Sequence, residues 1–300
     1  MLCVIGDLVE DIVVWLPESL NYGTDTPSQI VRTRGGSASN VAVFAAHIAT
    51  RENPNSIGAR LIAQVGDDRL GEQLIEVLQI AGVDPCVVRS GRTGSIVVIV
   101  SPDGERTMLT DRAASTQLLS APDNWFDDVS LLHVPAYSLF SESLATATQA
   151  CIATAHEKNI PVTIDASSAS LIEAYGVSEF RQVIAKIQPQ VLFCNTDEAK
   201  TIRLMADPIN VPLVVIKAGA SPTTLITRDG STTVEVAPVS QIIDTTGAGD
   251  AFAAGFLNSY QNVYIGVDTI TDISLRDCVL AGHQLAARVL RSPGATMDTQ

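Results

Sequence analysis

The chain has 300 residues, 46% of them apolar and 17% charged, which supplies a large packed interior and excludes a disordered or fibrous polymer. Nineteen Lys and Arg against 33 Asp and Glu leave a net charge of −14, which disfavours binding to nucleic acid or an anionic membrane surface. Local backbone N–H groups can still bind a small anion against that field.

The apolar run Leu2 to Ile5 reads as a first central strand. Met1 to Val14 carries no Lys or Arg and soon meets acidic residues, the wrong chemistry for a secretory leader, and no apolar run reaches membrane-spanning length. The five cysteines, Cys3, Cys86, Cys151, Cys194 and Cys278, are scattered and form no metal motif. They read as buried free thiols of a cytoplasmic protein.

Asp11 to Leu16 and Gln29 to Thr33 follow as extended segments with no helical crossover between them. Asp11 stands where the first strand has ended, as an acceptor for sugar hydroxyls or as a solvated edge charge. Gly35 to Asn40 (GGSASN) then opens a helix of small residues, Val41 to Ala49, which lets a backbone and the Asn40 amide approach a polar ligand. A tight turn with Asn40 as a helix cap explains the same residues equally well. Leu61 to Val65 is a second central strand, and Leu70, Leu74, Leu78 and Ala81 form the inner stripe of a helix.

Ile96 to Val100 and Thr107 to Thr110, joined by the turn Ser101-Pro102-Asp103-Gly104, are again extended without a crossover. With the first such pair they predict a small β layer inserted twice into the larger unit and placed as a cover. Val129 to His133, Val162 to Ile164, Val191 to Cys194 and Leu213 to Ile216 continue the buried parallel strands, and Phe180, Val183, Ile184 and Ile187 mark a helix. Asn195 and Glu198 share one face of a helix start, where they are hard oxygen ligands for Mg²⁺ held through water, or a plain capping pair. Lys217 and Gly219 lie just past a strand end, within reach of a nucleotide phosphate, unless Lys217 is a surface charge. Thr223 to Thr227 and Thr233 to Val236 predict an antiparallel edge.

The densest signal is Asp244-Thr245-Thr246-Gly247-Ala248-Gly249-Asp250, followed by a helix over Ala251 to Tyr260. Small residues at a helix start aim several N–H groups and the positive end of the dipole at one spot, an anion hole. Asp250 in its first turn is either a general base for an attacking hydroxyl or a charge that complements the dipole. Leu275, Val279, Gly282, Ala286 and Val289 mark a last helix, and the polar tail Met297 to Gln300 is expected to fray.

Together these stretches resemble the ribokinase, or PfkB-type, carbohydrate kinase family from about Leu2 to Thr296. The resemblance rests on Asp244 to Leu257 (DTTGAGDAFAAGFL), the glycine motif Gly35 to Asn40, Val65-Gly66-Asp67-Asp68 with Gly71, and Asn195 to Glu198. It implies an α/β, doubly wound, mainly parallel sheet flanked by helices, with residues 1–10, 34–92 and 112–300 as the kinase unit and 11–33 and 93–111 as an inserted β lid. It further implies ATP as donor and a primary hydroxyl of a sugar as acceptor, while the exposed face of so thin a β layer calls for cover and predicts a homodimer through the lids. Asp250 takes the role of base and Gly247, Ala248 and Gly249 that of anion hole. Asp11, Gly35, Gly36 and Asn40 hold the substrate, while Asn195 and Glu198 organise Mg²⁺. Asn195, Lys217, Gly219, Thr246, Gly247 and Gly249 meet the nucleotide. A monovalent cation such as K⁺ is implied near Asp244 and Thr246, beside Arg291 to Thr296.

The chain departs from the pattern at Pro222, at Gly282 where an adenine-contacting Asn is expected, at Asp165-Ala166-Ser167, and at Ala136 and Tyr137 in place of a ribose-binding Glu. Thr50 to Gly58 is a longer polar loop than the pattern carries. A nucleoside kinase of the same family, and a catalytically silent member that only binds, are the alternatives. Trp15, Tyr22 and Phe44 are the few aromatics near the cover, which leans toward a sugar over a nucleoside.

Overall fold

The computed structural model describes residues 1–52, 56–266 and 272–297. The start of the expected long loop, Thr50 to Glu52, is helical, whereas 53–55 and most of the tail, 298–300, lie outside the described residues.

A nine-stranded sheet forms the centre. Its strands are β1 (Leu2–Ile5), β4 (Ala59–Val65), β5 (Val83–Arg89), β8 (Leu131–Pro135), β9 (Val162–Asp165), β10 (Val191–Asn195), β11 (Leu213–Ala218), β12 (Ser221–Thr227) and β13 (Gly230–Val234), in the spatial order β13-β12-β11-β10-β9-β8-β1-β4-β5. From β11 to β5 every pairing is parallel, and β12 and β13 add the antiparallel edge.

Alternation along each strand fills both faces. Val4, Val191 and Phe193 point into one core with α1 (Ser37–Glu52), α2 (Arg69–Ile80), α7 (Ala248–Gly266) and α8 (Asp272–Val289). Cys3, Ile5, Leu192 and Cys194 point into the other with α3 (Glu142–Glu157), α4 (Ala169–Tyr175), α5 (Val177–Ile187) and α6 (Thr196–Thr201). Strands buried on both faces read as unbroken apolar runs, which is why they were legible.

The second sheet is the expected β layer: β2 (Val9–Trp15), β3 (Gln29–Gly35), β6 (Ser95–Val100) and β7 (Arg106–Asp111), ordered β3-β2-β6-β7. The turn before β7 closes with the Gly104 N–H donating to the Ser101 carbonyl at 2.8 Å.

Two strand bounds need correction. Val129 precedes its strand, which begins at Leu131, and β13 ends at Val234, short of Val236. The edge strand β5 gave no apolar run because it carries Asp84 and Pro85, a residue tolerated where one side of the ladder is unpaired. Successive parallel strands run outward from β1 in both directions, to β4 on one side and β8 on the other. The chain leaving their carboxyl ends passes to opposite faces of the sheet, α1 on one and α3 on the other, and this switch point leaves a crevice, the place where open α/β sheets take ligands.

Candidate active site

A cavity of about 1040 Å³ lies over that crevice, roofed by Ile96, Val98 and Met108 of the lid. Among the proposed site residues Asp11, Gly36, Asn40, Asn195, Glu198, Lys217, Gly219, Thr246, Gly247, Ala248, Gly249 and Asp250 all line it. Gly35 and Asp244 do not line it.

Asp250 is the third residue of α7, and its carboxylate reaches across to α1 instead of folding back on its own helix. Ser37 Oγ donates to Oδ1 at 2.7 Å and Asn40 Nδ2 donates to Oδ2 at 2.8 Å. Burial pushes the Asp250 carboxyl up to about 7, against the opposing pull of those two donors. Asn40 is therefore not a cap. Its Oδ1 accepts from Arg34 Nη1 at 2.7 Å, which turns the amide so that its N–H₂ faces Asp250. Arg34 is 8% exposed and also holds Ser39 Oγ at 2.7 Å.

Gly247 has φ +75°, and a Cβ there would meet the Ala295 Cβ at 2.7 Å, so only glycine makes this turn into α7. Among the described residues the N–H groups of Gly247, Gly249 and Asp250 find no protein acceptor, as an anion hole requires. The Lys217 ammonium faces the same loop, 3.5 Å from where a Gly249 Cβ would stand.

Lys217 is no surface charge: it lies against Asp165 Oδ2 at 2.5 Å. Burial opposes its charge, yet Asp165 and Glu198 hold its pKa above the ordinary value. Glu198 is 2% exposed, and burial followed by the Asp165 charge pushes its carboxyl well above the usual range. Asn195 and Glu198 form a full capping box at α6, with Asn195 Oδ1 accepting from the Asp197 and Glu198 N–H groups at 2.9 Å. The capping reading is thus correct as geometry, and it leaves Glu198 oxygens on the cavity wall beside Asp165. Among the described residues no three acidic, His or Cys side chains converge to hold a metal by themselves. An oxygen-only set around a buried, poorly compensated carboxylate fits Mg²⁺ shared with phosphate oxygens and water.

Asp244 already has a cationic partner, Arg106. Thr246 N–H and Oγ1 donate to its Oδ1 at 2.8 and 2.7 Å, the Gly294 N–H donates to its Oδ2 at 2.8 Å, and Arg106 of the lid forms an ion pair with Oδ1. Oδ1 takes three donors, one of them a full cation, and Oδ2 takes one, so the Asp244 charge is already compensated from the second sheet. K⁺, expected at Asp244 and Thr246, would there compete with the Arg106 guanidinium.

On the acceptor side Asp11 packs against Gly35, where any Cβ would strike its carboxylate. Burial, then the Asp7 charge, pushes Asp11 up to about 6. Asp7 is paired with Arg112 at 2.5 Å, and that guanidinium lies 4.7 Å over the Tyr137 ring. Of the three aromatics expected near the cover none lines the cavity: Phe44 is buried in the core, Tyr22 is exposed and Trp15 packs within the lid. On the donor side Gly282 packs against Phe252 and its neighbour His283 lines the cavity, bonded to Thr223 Oγ1 at 3.0 Å.

Sequence reasoning missed Ser37, Arg34, Arg106, Arg112 and Asp165 as site residues. Asp165 stood in plain view at a strand's carboxyl end, the same signal that found Lys217. The three arginines gave none, because only folding decides which surface arginines turn inward.

The model of the pfkB family carbohydrate kinases matches residues 1–300. The chain belongs to the pfkB family. This family member is 27% identical over 275 residues to a fructokinase of Vibrio alginolyticus, covering 85% of this chain and 82% of the relative. It is 29% identical over 236 residues to an ATP-dependent ribose-1-phosphate kinase of Halopiger xanaduensis, covering 75% and 73%. Its fold matches an adenosine kinase of Sinorhizobium meliloti with a TM-score of 0.81 and 22% identity, over 98% and 94% of the two chains. The pfkB chain is a phosphotransferase with an alcohol group as acceptor, built on a ribokinase-like fold. No described helix is long and apolar enough to cross a membrane.

Proposed function

We propose that this sugar kinase transfers the γ-phosphoryl group of ATP to a primary hydroxyl of a carbohydrate, with Asp250 as general base. The observation that carries the reading is the Asp250 carboxylate, poised near neutral pH on the cavity wall, beside N–H groups of Gly247 and Gly249 that have no acceptor. Asp250 takes the hydroxyl proton as the oxygen attacks phosphorus, while those N–H groups and the Ala248 helix start receive the developing charge. Lys217, Gly219 and Thr246 face the phosphates. Mg²⁺, supported by Asn195 and Glu198, would neutralise phosphate charge, so EDTA should abolish turnover and Glu198→Gln should weaken Mg²⁺ affinity, raising the Mg²⁺ concentration needed for half-maximal turnover. Asp11, Gly36 and Asn40 hold acceptor hydroxyls, with Gly35 giving Asp11 its room.

Residues 11–33 and 93–111 act as the lid that excludes water as a competing acceptor. The outer face of the lid pairs with a second copy, and the protein works in the cytoplasm. A nucleoside as acceptor is the second reading, and one observation weighs against it: the Tyr137 ring is already covered by Arg112. A purified-protein panel of sugars and nucleosides, read by ADP release, decides among these. Turnover confined to nucleosides overturns the sugar reading, and binding of ATP and sugar without any turnover makes the chain a silent member.

A further inference from the structure

One carboxylate joins the lid to the anion hole. Asp244, 6% exposed, pins Thr246 through two bonds and the 294 backbone through a third, which sets the loop that leads into Gly247. Its remaining partner comes from a different sheet. Arg106 opposes Val100 on β7, on the same inner face of the lid as Val98 and Met108, and it reaches down to Asp244. Burial opposes ionisation of Asp244, but the Thr246 and Gly294 donors and the Arg106 charge hold its carboxyl below the usual range. Arg106 itself is largely buried, lines the cavity, and keeps its Nε without a partner among the described residues.

We infer that Arg106 is a positioning residue: it fixes the anion-hole loop from the lid and supplies at Asp244 the positive charge that a monovalent cation would otherwise bring, so this kinase needs no K⁺. The inference rests on the kinase reading of the site. Its physical content is that a second cation at Asp244 would meet a carboxylate whose charge is already compensated, with Oδ1 taken by three donors and a guanidinium within repulsive distance. Because the same guanidinium belongs to the lid, the last of the four partners that fix the loop arrives with the lid.

The test uses the full chain in KCl and in tetramethylammonium chloride at equal ionic strength. Turnover is expected to agree within about twofold and the thermal melts to coincide, since a cation that does not bind the folded state does not stabilise it. Arg106→Ala should lose about tenfold or more in kcat with the acceptor KM nearly kept, and added guanidinium should restore part of that loss. Arg106→Lys, which keeps the charge but not the fork, should fall between, and it carries the comparison if the alanine variant does not fold. A K⁺-specific rise in wild-type turnover or melting temperature overturns the inference, as does an Arg106→Ala enzyme that is equally fast or is not rescued by guanidinium. Failure of the kinase reading shows separately, as an Asp250→Asn enzyme with undiminished turnover, and the paired melts still decide the cation question.

Discussion

At the scale of single residues the proposed chemistry turns on Asp250, and its two readings separate cleanly in one substitution. An amide at 250 keeps the shape and both bonds, accepting from Asn40 and donating to Ser37, whose hydroxyl can accept; it loses only the capacity to take a proton. Asp250→Asn should therefore lower kcat by about two to four orders of magnitude with substrate affinities nearly kept, whereas a mere dipole partner would leave turnover intact. Steady-state kinetics beside a thermal melt read both. The same carboxyl predicts the pH profile: kcat/KM should rise through about pH 7 as Asp250 ionises. Ser37→Ala and Asn40→Ala each remove a donor to the charged form, so both should move that limb to higher pH, and an unmoved limb would count against Asp250 as its source. Stability follows with the opposite sense. The folded pKa of Asp250 is raised above its ordinary 3.8, so ionising it costs the folded state nothing below that pH and the full penalty above about 7. Asp250→Asn should thus stabilise the chain relative to wild type at pH 8 and lose that advantage as pH falls toward 4.

At the scale of elements, two junctions hold the lid strands to the main sheet. Asp68 caps α2 by accepting from the Gly71 N–H at 2.8 Å, and it also takes the Thr93 N–H at 2.8 Å and the Thr93 hydroxyl at 2.6 Å, just before β6 begins. The glycine beside it must be bare, since a Cβ at Gly66 would strike the Thr93 backbone. Removing these bonds with Asp68→Ala should cost about 1 to 2 kcal/mol, seen as a lower denaturant midpoint with an unchanged slope. At the other junction Gly36, with φ +100°, turns from β3 into α1 while a Cβ there would meet the Asp7 carbonyl at 2.5 Å. If the lid closes on acceptor, amide exchange in 9–35 and 95–111 should slow when a turnover-competent sugar is added. Protection confined to the main sheet would remove the lid role.

At the scale of the whole molecule, the four-stranded sheet is apolar on both faces, and only one faces the cavity. Its outer face carries Ile12, Val14, Val97 and Ile99 with the exposed Ile30 and Leu109, in register across all four strands. A thin sheet with two open edges and such a face is suited to a second copy. Sedimentation should give a dimer that Ile30→Asp with Leu109→Asp converts to monomer, and a wild-type monomer at micromolar concentration would end the proposal.

The sequence by itself determined the architecture and marked the core of the candidate site. Strands such as Val191 to Cys194, buried on both faces, must be written as continuous apolar runs, and an inserted pair joined by Ser101 to Gly104 cannot belong to a parallel sheet. The loop at Gly247 needs a residue free of a Cβ, so its motif is legible in one dimension. What lies between distant segments was not. Whether Asn40 caps its helix or reaches Asp250, whether Lys217 is solvated or paired with Asp165, and which charge sits on Asp244 are settled by side chains 52 to 213 positions apart in the chain. Arginine at 106 is equally compatible with solvent and with a buried pair, because its long stem and fixed charge suit both. Only the docking of the lid over the sheet, which removes water from one of those choices, decides between them.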